Sequence, residues 1–354
     1  MLGPAGQEAV LIEALSAEEG AVRLAAALAV RRAASAAACM PLLDLLERSA
    51  EQDRAAIGLA LAGPLSRNVD PKVLARVERA VRASSGGERD LLIEAMGRMS
   101  GSAAVARLSA LAKGGDLFDR AKIAEALAAH ADGLAALVTL ARDVDGAVRA
   151  NAVWALGSVG TTNEIALLRE LSRDRDVAAA GNAVASLGRL GARFRVAITN
   201  EVCPSVSDSR SYVRSNALRA LRLAAARCPN APERRALVRD RSEVVREAAA
   251  WLIRDVSPSD VDRRALSRCA EDDPSGTVAA ACAGSNLPPV TATEPVVVYV
   301  VPIGEPAPVA RAPFALVFEN GLMRLGVADR RGAVFEAQAP RGEVALAVPA
   351  PLAE

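Results

Sequence analysis

Histidine occurs once in the 354 residues, at His130. A single imidazole rules out most His-based metal centres and most catalytic triads. Lysine is nearly as scarce: Lys72, Lys113 and Lys122 stand against forty arginines, and aromatic residues make up only 3%. Alanine supplies more than a fifth of the chain. That Ala/Arg bias has the character of GC-rich coding, so arginine content alone does not indicate nucleic acid. The formal net charge of +1 provides no global field toward DNA, RNA or an acidic membrane. No stretch reaches the roughly 18 to 20 uncharged apolar residues a transmembrane helix needs.

The five cysteines (Cys39, Cys203, Cys228, Cys269, Cys282) are odd in number, scattered, and form no C-x-x-C pair. Reduced, buried thiols in a cytoplasmic protein are the expectation. Glu8, Glu13, Glu18 and Glu19 give the N-terminus an acidic lead-in, unlike the basic start of a signal peptide. Localisation is therefore expected to be cytoplasmic, with export or surface association the alternative if Met1 is not the true start. There is no G-x4-G-K-[ST], no G-x-G-x-x-G after a strand and no G-x-S-x-G. The paired carboxylates Glu18-Glu19 and Asp272-Asp273 fall at expected turns and helix starts, where acids are stabilising. His130 reads as a surface residue. These absences predict no metal, no cofactor and no enzymatic activity.

What the chain has instead is a repeat. Residues 145–157 read DGAVRANAVWALG, and residues 176–188, one 31-residue step later, read DVAAAGNAVASLG. Anchored on the arginine slot, the pattern falls at Arg23, Arg54, Arg89, Arg120, Arg149, Ala180, Arg214, Arg246 and Ala279, a mean spacing of 32 residues. Each unit has room for two helices of about 10–13 residues. In the fifth unit Asp145 stands at an N-cap position, and Val148, Ala152, Ala155, Leu156 and Val159 make one apolar face. Gly157 and Gly160 then offer helix-ending positions with positive φ. First helices are expected at 40–48, 71–83, 103–113, 131–141 and 162–172, and Gly284 is expected to close the last helix.

The D-x-x-V-R-x-x-A-x-x-A-L-G pattern resembles HEAT repeats, in particular the short bacterial type also found in phycobilisome-lyase-like proteins. The resemblance covers roughly residues 5–284. It implies a mainly α fold, a right-handed α-α superhelix of about nine repeats, in which the turn Asp and the second-helix Arg hold neighbouring repeats together. Asp145 and Arg149 are the expected example, and units with Ala180 or Ala279 in the slot would lack the tie.

Residues 285–295, SNLPPVTATEP, break the helical period and read as a linker. Beyond them, residues 296–354 form a small all-β module, with strands expected at 296–301, 314–319, 322–328, 333–338 and 343–348. Asn320-Gly321 is a strong hairpin signal, and residues 329–332 and 340–342 supply further turns. The spacing of Gly321, Gly326, Asp329, Gly332, Pro340 and Gly342 resembles transthyretin-like or carboxypeptidase-regulatory-like β modules, which implies a docking piece. The solenoid (1–284) and this module are expected to be separable, with few contacts between them.

Two constellations point to partners. Residues 205–246 hold ten arginines against four acids, a net of +6, which suits a solvated face, an acidic protein or, less well, nucleic acid. Along the second helices, Asn151, Asn182 and Asn216 recur two residues after the anchor. Trp154 and Trp251 stand five after it, at the position Arg219 takes in its own unit, and Arg189 stands nine after it. These offsets share one side of the helix, displaced from the apolar stripe. The pattern predicts a ladder that holds an extended peptide or partner helix, Asn amides pairing with main chain and Trp anchoring, as armadillo grooves do. The function expected is a non-catalytic protein–protein interaction scaffold or adaptor, with the solenoid groove holding one partner and the β tail docking a second component, such as part of a secretion or surface assembly. The alternative is a lyase-like or nucleic-acid-processing HEAT enzyme. The oligomeric state is open.

Overall fold

A computed structural model describes residues 4–33, 35–68, 70–284, 293–318, 321–340, 342 and 344–347. The chain is mainly helical, a HEAT solenoid-like arrangement followed by antiparallel strands. None of the helices among the described residues is long and apolar enough to cross a membrane. Contacts divide the chain into two compact units, Met1–Ala136 with Asp329–Arg331, and Leu137–Ala328 with Gly332–Glu354.

The first unit holds α1 (Pro4–Ala14), α2 (Gly20–Ala33), α3 (Cys39–Arg48), α4 (Glu51–Leu65), α5 (Pro71–Ala83), α6 (Gly86–Gly97), α7 (Ser102–Gly114) and α8 (Leu117–Leu127). Helices α2, α4, α6 and α8 stack in one row, with α3, α5 and α7 in a second. Helix α5 shows why the sequence folds this way. Asp70 accepts from the Lys72 N–H at 2.8 Å, Pro71 fills the first helical position, and Val73, Leu74, Val77 and Val81 bury one face. Cys39, in α3, is fully buried.

Helix α9 (Leu134–Leu140) contains the division between the units. The second unit stacks α10 (Gly146–Val159), α12 (Val177–Phe194), α14 (Ser211–Leu223), α16 (Glu243–Asp255) and α18 (Gly276–Ala283) in one row. Their partners are α11 (Ile165–Leu171), the short α13 (Thr199–Val202), α15 (Pro232–Arg239) and α17 (Asp260–Asp272). Gly284, at φ 106°, ends α18 as expected.

The glycines near the ends of α4, α6, α10 and α12 have a different role from the one their sequence position suggests. Gly157 lies inside α10, and Gly160 is extended at φ −65°. Close approach is what requires these glycines. A Cβ at Gly188 would lie 2.6 Å from both Cα and Cβ of Ala220, and one at Gly97 would lie 2.6 Å from Cβ of Ala126. Small residues let consecutive second helices touch backbone to backbone.

The strands are β1 (Thr293–Tyr299), β2 (Pro313–Phe318), β3 (Met323–Val327), β4 (Ala333–Pro340) and β5 (Val344–Ala347). They form two antiparallel sheets, β1-β4 and β3-β2-β5, with Phe314 facing Gly326 and Leu316 facing Arg324 across β2 and β3. Asn320 and Arg341 lie outside the described residues, as do residues 285–292 of the expected linker, whereas residues 293–295 belong to β1. Gly321 has φ 81°, and its N–H reaches the Phe318 carbonyl at 2.7 Å.

The expectation of few contacts between solenoid and strands is corrected by the packing. Trp154 of α10 and Ala185 of α12 share one core with Phe314, Phe318, Val334 and Ala339, and Ala150, Ala178 and Ala179 share another with Met323 and Leu325. The expectation of reduced thiols is corrected as well. Cys203 pairs with Cys228 and Cys269 with Cys282, leaving Cys39 free, and burial pushes its thiol up to about 11. His130 is half-buried, its Nε2 against the Gly97 carbonyl, so it is not a simple surface residue.

Candidate interaction site

The arginine anchors build the frame that carries the site. Arg149 donates through Nε and Nη2 to both Asp174 carboxylate oxygens at 2.7 Å, and through Nη1 to the carbonyls of Asp143 and Val144. Arg214 repeats this with Asp240, and Arg246 with Asp273. In the first unit Arg54 grips Glu88, and Arg89 grips Asp119. One guanidinium thus closes its own turn and clamps the acid of the next repeat, a bidentate geometry that lysine cannot supply. The Arg246 hydrogen bonds hold the Asp273 carboxyl below the usual carboxylate range. Asp145 is not the clamped acid. It caps α10, accepting from the N–H groups of Ala147 and Val148, and Asp174 takes Arg149.

Along the second-helix face of the second unit, strand β3 lies on the Asn ladder. Asn182, fully buried, donates through Nδ2 to the carbonyls of Ala150 (3.1 Å) and Leu325 (2.8 Å), and its Oδ1 accepts from the Leu325 N–H (2.9 Å). Asn216 donates to the carbonyls of Gly181 (2.9 Å) and Met323 (3.4 Å). Asn151 Oδ1 accepts from Arg324 Nη2 at 3.0 Å. Each Asn amide here tethers a helix, a strand or both, and Asn182 reads both main-chain groups of one strand residue. Gly181 makes room for the strand, since a Cβ there would meet Leu325 Cδ1 at 2.8 Å.

The aromatic and charged members complete the seat. Trp154 Nε1 donates to Glu336 Oε2 at 2.6 Å, and its ring stacks on Phe318 at 6.3 Å. Arg189 lies over the Trp154 ring at 4.8 Å and donates to Ser158 Oγ at 2.6 Å; burial pulls its pKa down. Arg219 donates to the Gly321 carbonyl at 2.7 Å, pairs with Glu247 and covers the Trp251 ring at 4.9 Å. Of the seven residues expected to bind a partner, Asn151, Trp154, Asn182, Asn216 and Arg219 meet the β module of the same chain. Arg189 and Trp251 support them from behind. All but Arg189 are buried, so the ladder is not the open face expected for a free groove.

The pair that answers the ladder is Arg324 and Glu336, both buried in the β module. Arg324 Nη1 donates to the Phe335 carbonyl (2.7 Å) and to Glu336 Oε2 (3.3 Å). Neither stands out in the sequence, because a charged residue in a short strand ordinarily marks a solvent face. In β3 every residue from Met323 to Gly326 is buried, because one face meets the sheet core and the other meets α10 and α12.

A second buried cluster lies within the first unit, built around Asp329, Arg330 and Arg331, which the sequence presented only as a turn. Lys122 Nζ contacts Glu125 at 2.6 Å and Asp329 at 2.8 Å. Arg331 reaches Glu94, while Arg330 reaches Asp90, Asp116 and Asp119 and covers the Phe118 ring. Burial opposes the charge on Lys122, yet Glu125, Asp329 and Glu94 together hold its ammonium above the ordinary range. Burial also pushes the Asp90 carboxyl up to about 6. Among the described residues, no three His, Cys, Asp or Glu side chains gather in a way that could hold a metal ion.

Comparison with known proteins agrees with the repeat architecture. The HEAT-repeat family model matches residues 119–188, which run from α8 through most of α12. Among curated proteins, none shows significant similarity to this chain. Among solved structures, the chain is similar to one from the complex of CpcE and CpcF of phycocyanin lyase from Nostoc sp. PCC7120. The identity is 16% over 71% of this chain and 94% of that one, with a TM-score of 0.37. Residues 119–188 thus carry the HEAT-repeat signature.

Proposed function

We propose that this protein is a non-catalytic protein–protein interaction scaffold or adaptor, in which the helical repeats mount the small β module for docking to protein partners. The observation that carries the reading is the Asn182 clasp on both main-chain groups of Leu325. Amides that grip an extended main chain recognise shape, which is the chemistry of peptide docking rather than of bond making. The same observation revises the division of labour expected from the sequence. The ladder around α10, α12 and α14 serves the chain's own β tail, so external partners meet the remaining surfaces. We further propose that a helical module up to Gly284 is followed by a β module beginning at Thr293 rather than at 296, the latter a transthyretin-like docking piece, an idea supported by five strands in two antiparallel sheets. The two disulfides favour an exported or surface-associated protein over the cytoplasmic expectation, because such bonds persist in oxidising compartments.

Affinity capture with the full chain, followed by cross-linking and mass spectrometry, tests this reading. Cross-links from a recurring protein partner to surfaces outside the ladder are the expected result. Turnover of a small-molecule or nucleic-acid substrate by the purified chain, with no partner above background, would overturn it.

A further inference from the structure

The ten arginines of residues 205–246 separate into two groups once their partners are known. Arg210, Arg214, Arg219, Arg222, Arg227, Arg234 and Arg246 are held by carboxylates of the same chain. Arg235, Arg239 and Arg241 make no ion pair among the described residues. The last two do not point away at random. Together with Arg268 of α17, likewise without an ion pair, they line a cavity of about 540 Å³ beside α15 and α17. Its apolar part includes Leu237, which is buried, and Val238, which is 68% exposed. An exposed valine framed by three unmatched guanidiniums is unusual here, because elsewhere the chain gives most of its arginines an internal acid.

We propose that this cavity docks an acidic segment of a protein partner, with an apolar side chain on Leu237 and Val238 and its carboxylates on Arg239, Arg241 and Arg268. The proposal rests on the scaffold reading and names the partner's chemistry. Guanidinium forks match carboxylates bidentately, and arginine beside apolar surface is the composition of protein interfaces. Nucleic acid fits less well. A phosphate backbone that is anionic at every residue offers no apolar side chain for Leu237 and Val238, whereas a peptide can alternate an apolar residue with carboxylates and keep the former clear of Asp272 on the rim.

Fluorescence anisotropy of the full chain tests this with a labelled peptide of Glu-Glu-Leu repeats, its Lys-Lys-Leu counterpart and a short DNA duplex. The acidic peptide should bind, weaken with salt, and lose at least about tenfold in affinity in the Arg239→Ala/Arg241→Ala/Arg268→Ala variant. The thermal transition should stay put, since these side chains make no ion pair or hydrogen bond among the described residues. Equal binding of the lysine peptide, or undiminished binding by the variant, would overturn the proposal, as would DNA binding more tightly through the same residues. If the acidic peptide fails while captured partners still cross-link elsewhere, this site falls and the scaffold reading stands.

Discussion

Replacing Asn182 with alanine removes one donor group and one acceptor from a fully buried position without touching the hydrophobic contacts of β3. The amide makes three hydrogen bonds, to the carbonyls of Ala150 and Leu325 and from the Leu325 N–H. At about 1 kcal/mol net for each, the loss is about 3 kcal/mol. Partial solvation of the freed groups would lower it and a dry site would raise it. Asn216→Ala should cost less, about 1–2 kcal/mol. Its contact to Met323 is long at 3.4 Å, and its Oδ1 already lacks a partner among the described residues. Asn163, exposed on the turn before α11, is the control, expected to fall within about 0.5 kcal/mol of the parent.

Urea unfolding followed by far-UV circular dichroism gives these differences, and native-state hydrogen exchange at Leu325 shows where they act. In Asn182→Ala the Leu325 amide should exchange faster before the helices open, because its acceptor is gone. A cost below about 0.5 kcal/mol, or unchanged exchange at Leu325, would refute the idea that the Asn ladder holds the strand.

Three further outcomes follow from the packing and charge. Gly188→Ala should destabilise by about 1–2 kcal/mol, since the clash with Ala220 outweighs the roughly 1 kcal/mol that alanine gains in a helix, whereas Gly114→Ala, with nothing within 4 Å, should be neutral or stabilising; thermal melts compare them. Asp90, raised to about 6 in the fold, binds its proton more tightly folded than unfolded, so its contribution is fully present below pH 3.8 and lost as pH rises through about 6. Urea melts between pH 4.5 and 7 should show that slope, and Asp90→Asn should flatten it. Alkylation read by mass should label only Cys39 in denaturant without reductant and all five cysteines after reduction. Labelling of five thiols without reductant would remove the argument for an oxidising compartment.

Much of the fold was legible because helical period is a local signal. The expected first helix at 71–83 is α5, and each expected strand overlaps an observed one. The ladder residues were legible as one face, because offsets along a helix determine direction. What they touch was not, because Asn182 and Leu325 are 143 residues apart, and Trp154 and Glu336 are 182 apart. The same limit explains the misassigned clamp. Asp145 and Asp174 are both turn acids, and only the stacking of repeats decides which one meets Arg149. The cysteine pairs, separated by 25 and 13 residues with no motif around them, likewise become visible only when the helices are stacked.

The meeting of solenoid and strand also resolves a difficulty that each would have alone. A second-helix face made of Ala150, Ala178, Ala179 and Gly181 is apolar and shallow, and would leave that surface in water. Strand β3 is one of the two outer strands of its sheet, and an outer strand carrying Met323 and Leu325 invites unwanted pairing. Laid together, the small residues admit the strand closely enough for Met323 and Leu325 to bury themselves, and the Asn amides occupy main-chain groups that a further strand would otherwise take. The strand expected at 322–328 therefore has the expected conformation, and what the sequence left unstated is its surroundings. A strand flanked by helices on its open side is buried on both faces, and Arg324 is tolerated there because Glu336, Asn151 and the Phe335 carbonyl meet it. Specific recognition of an extended chain is thus already built into the second-helix face, in the service of the protein's own tail.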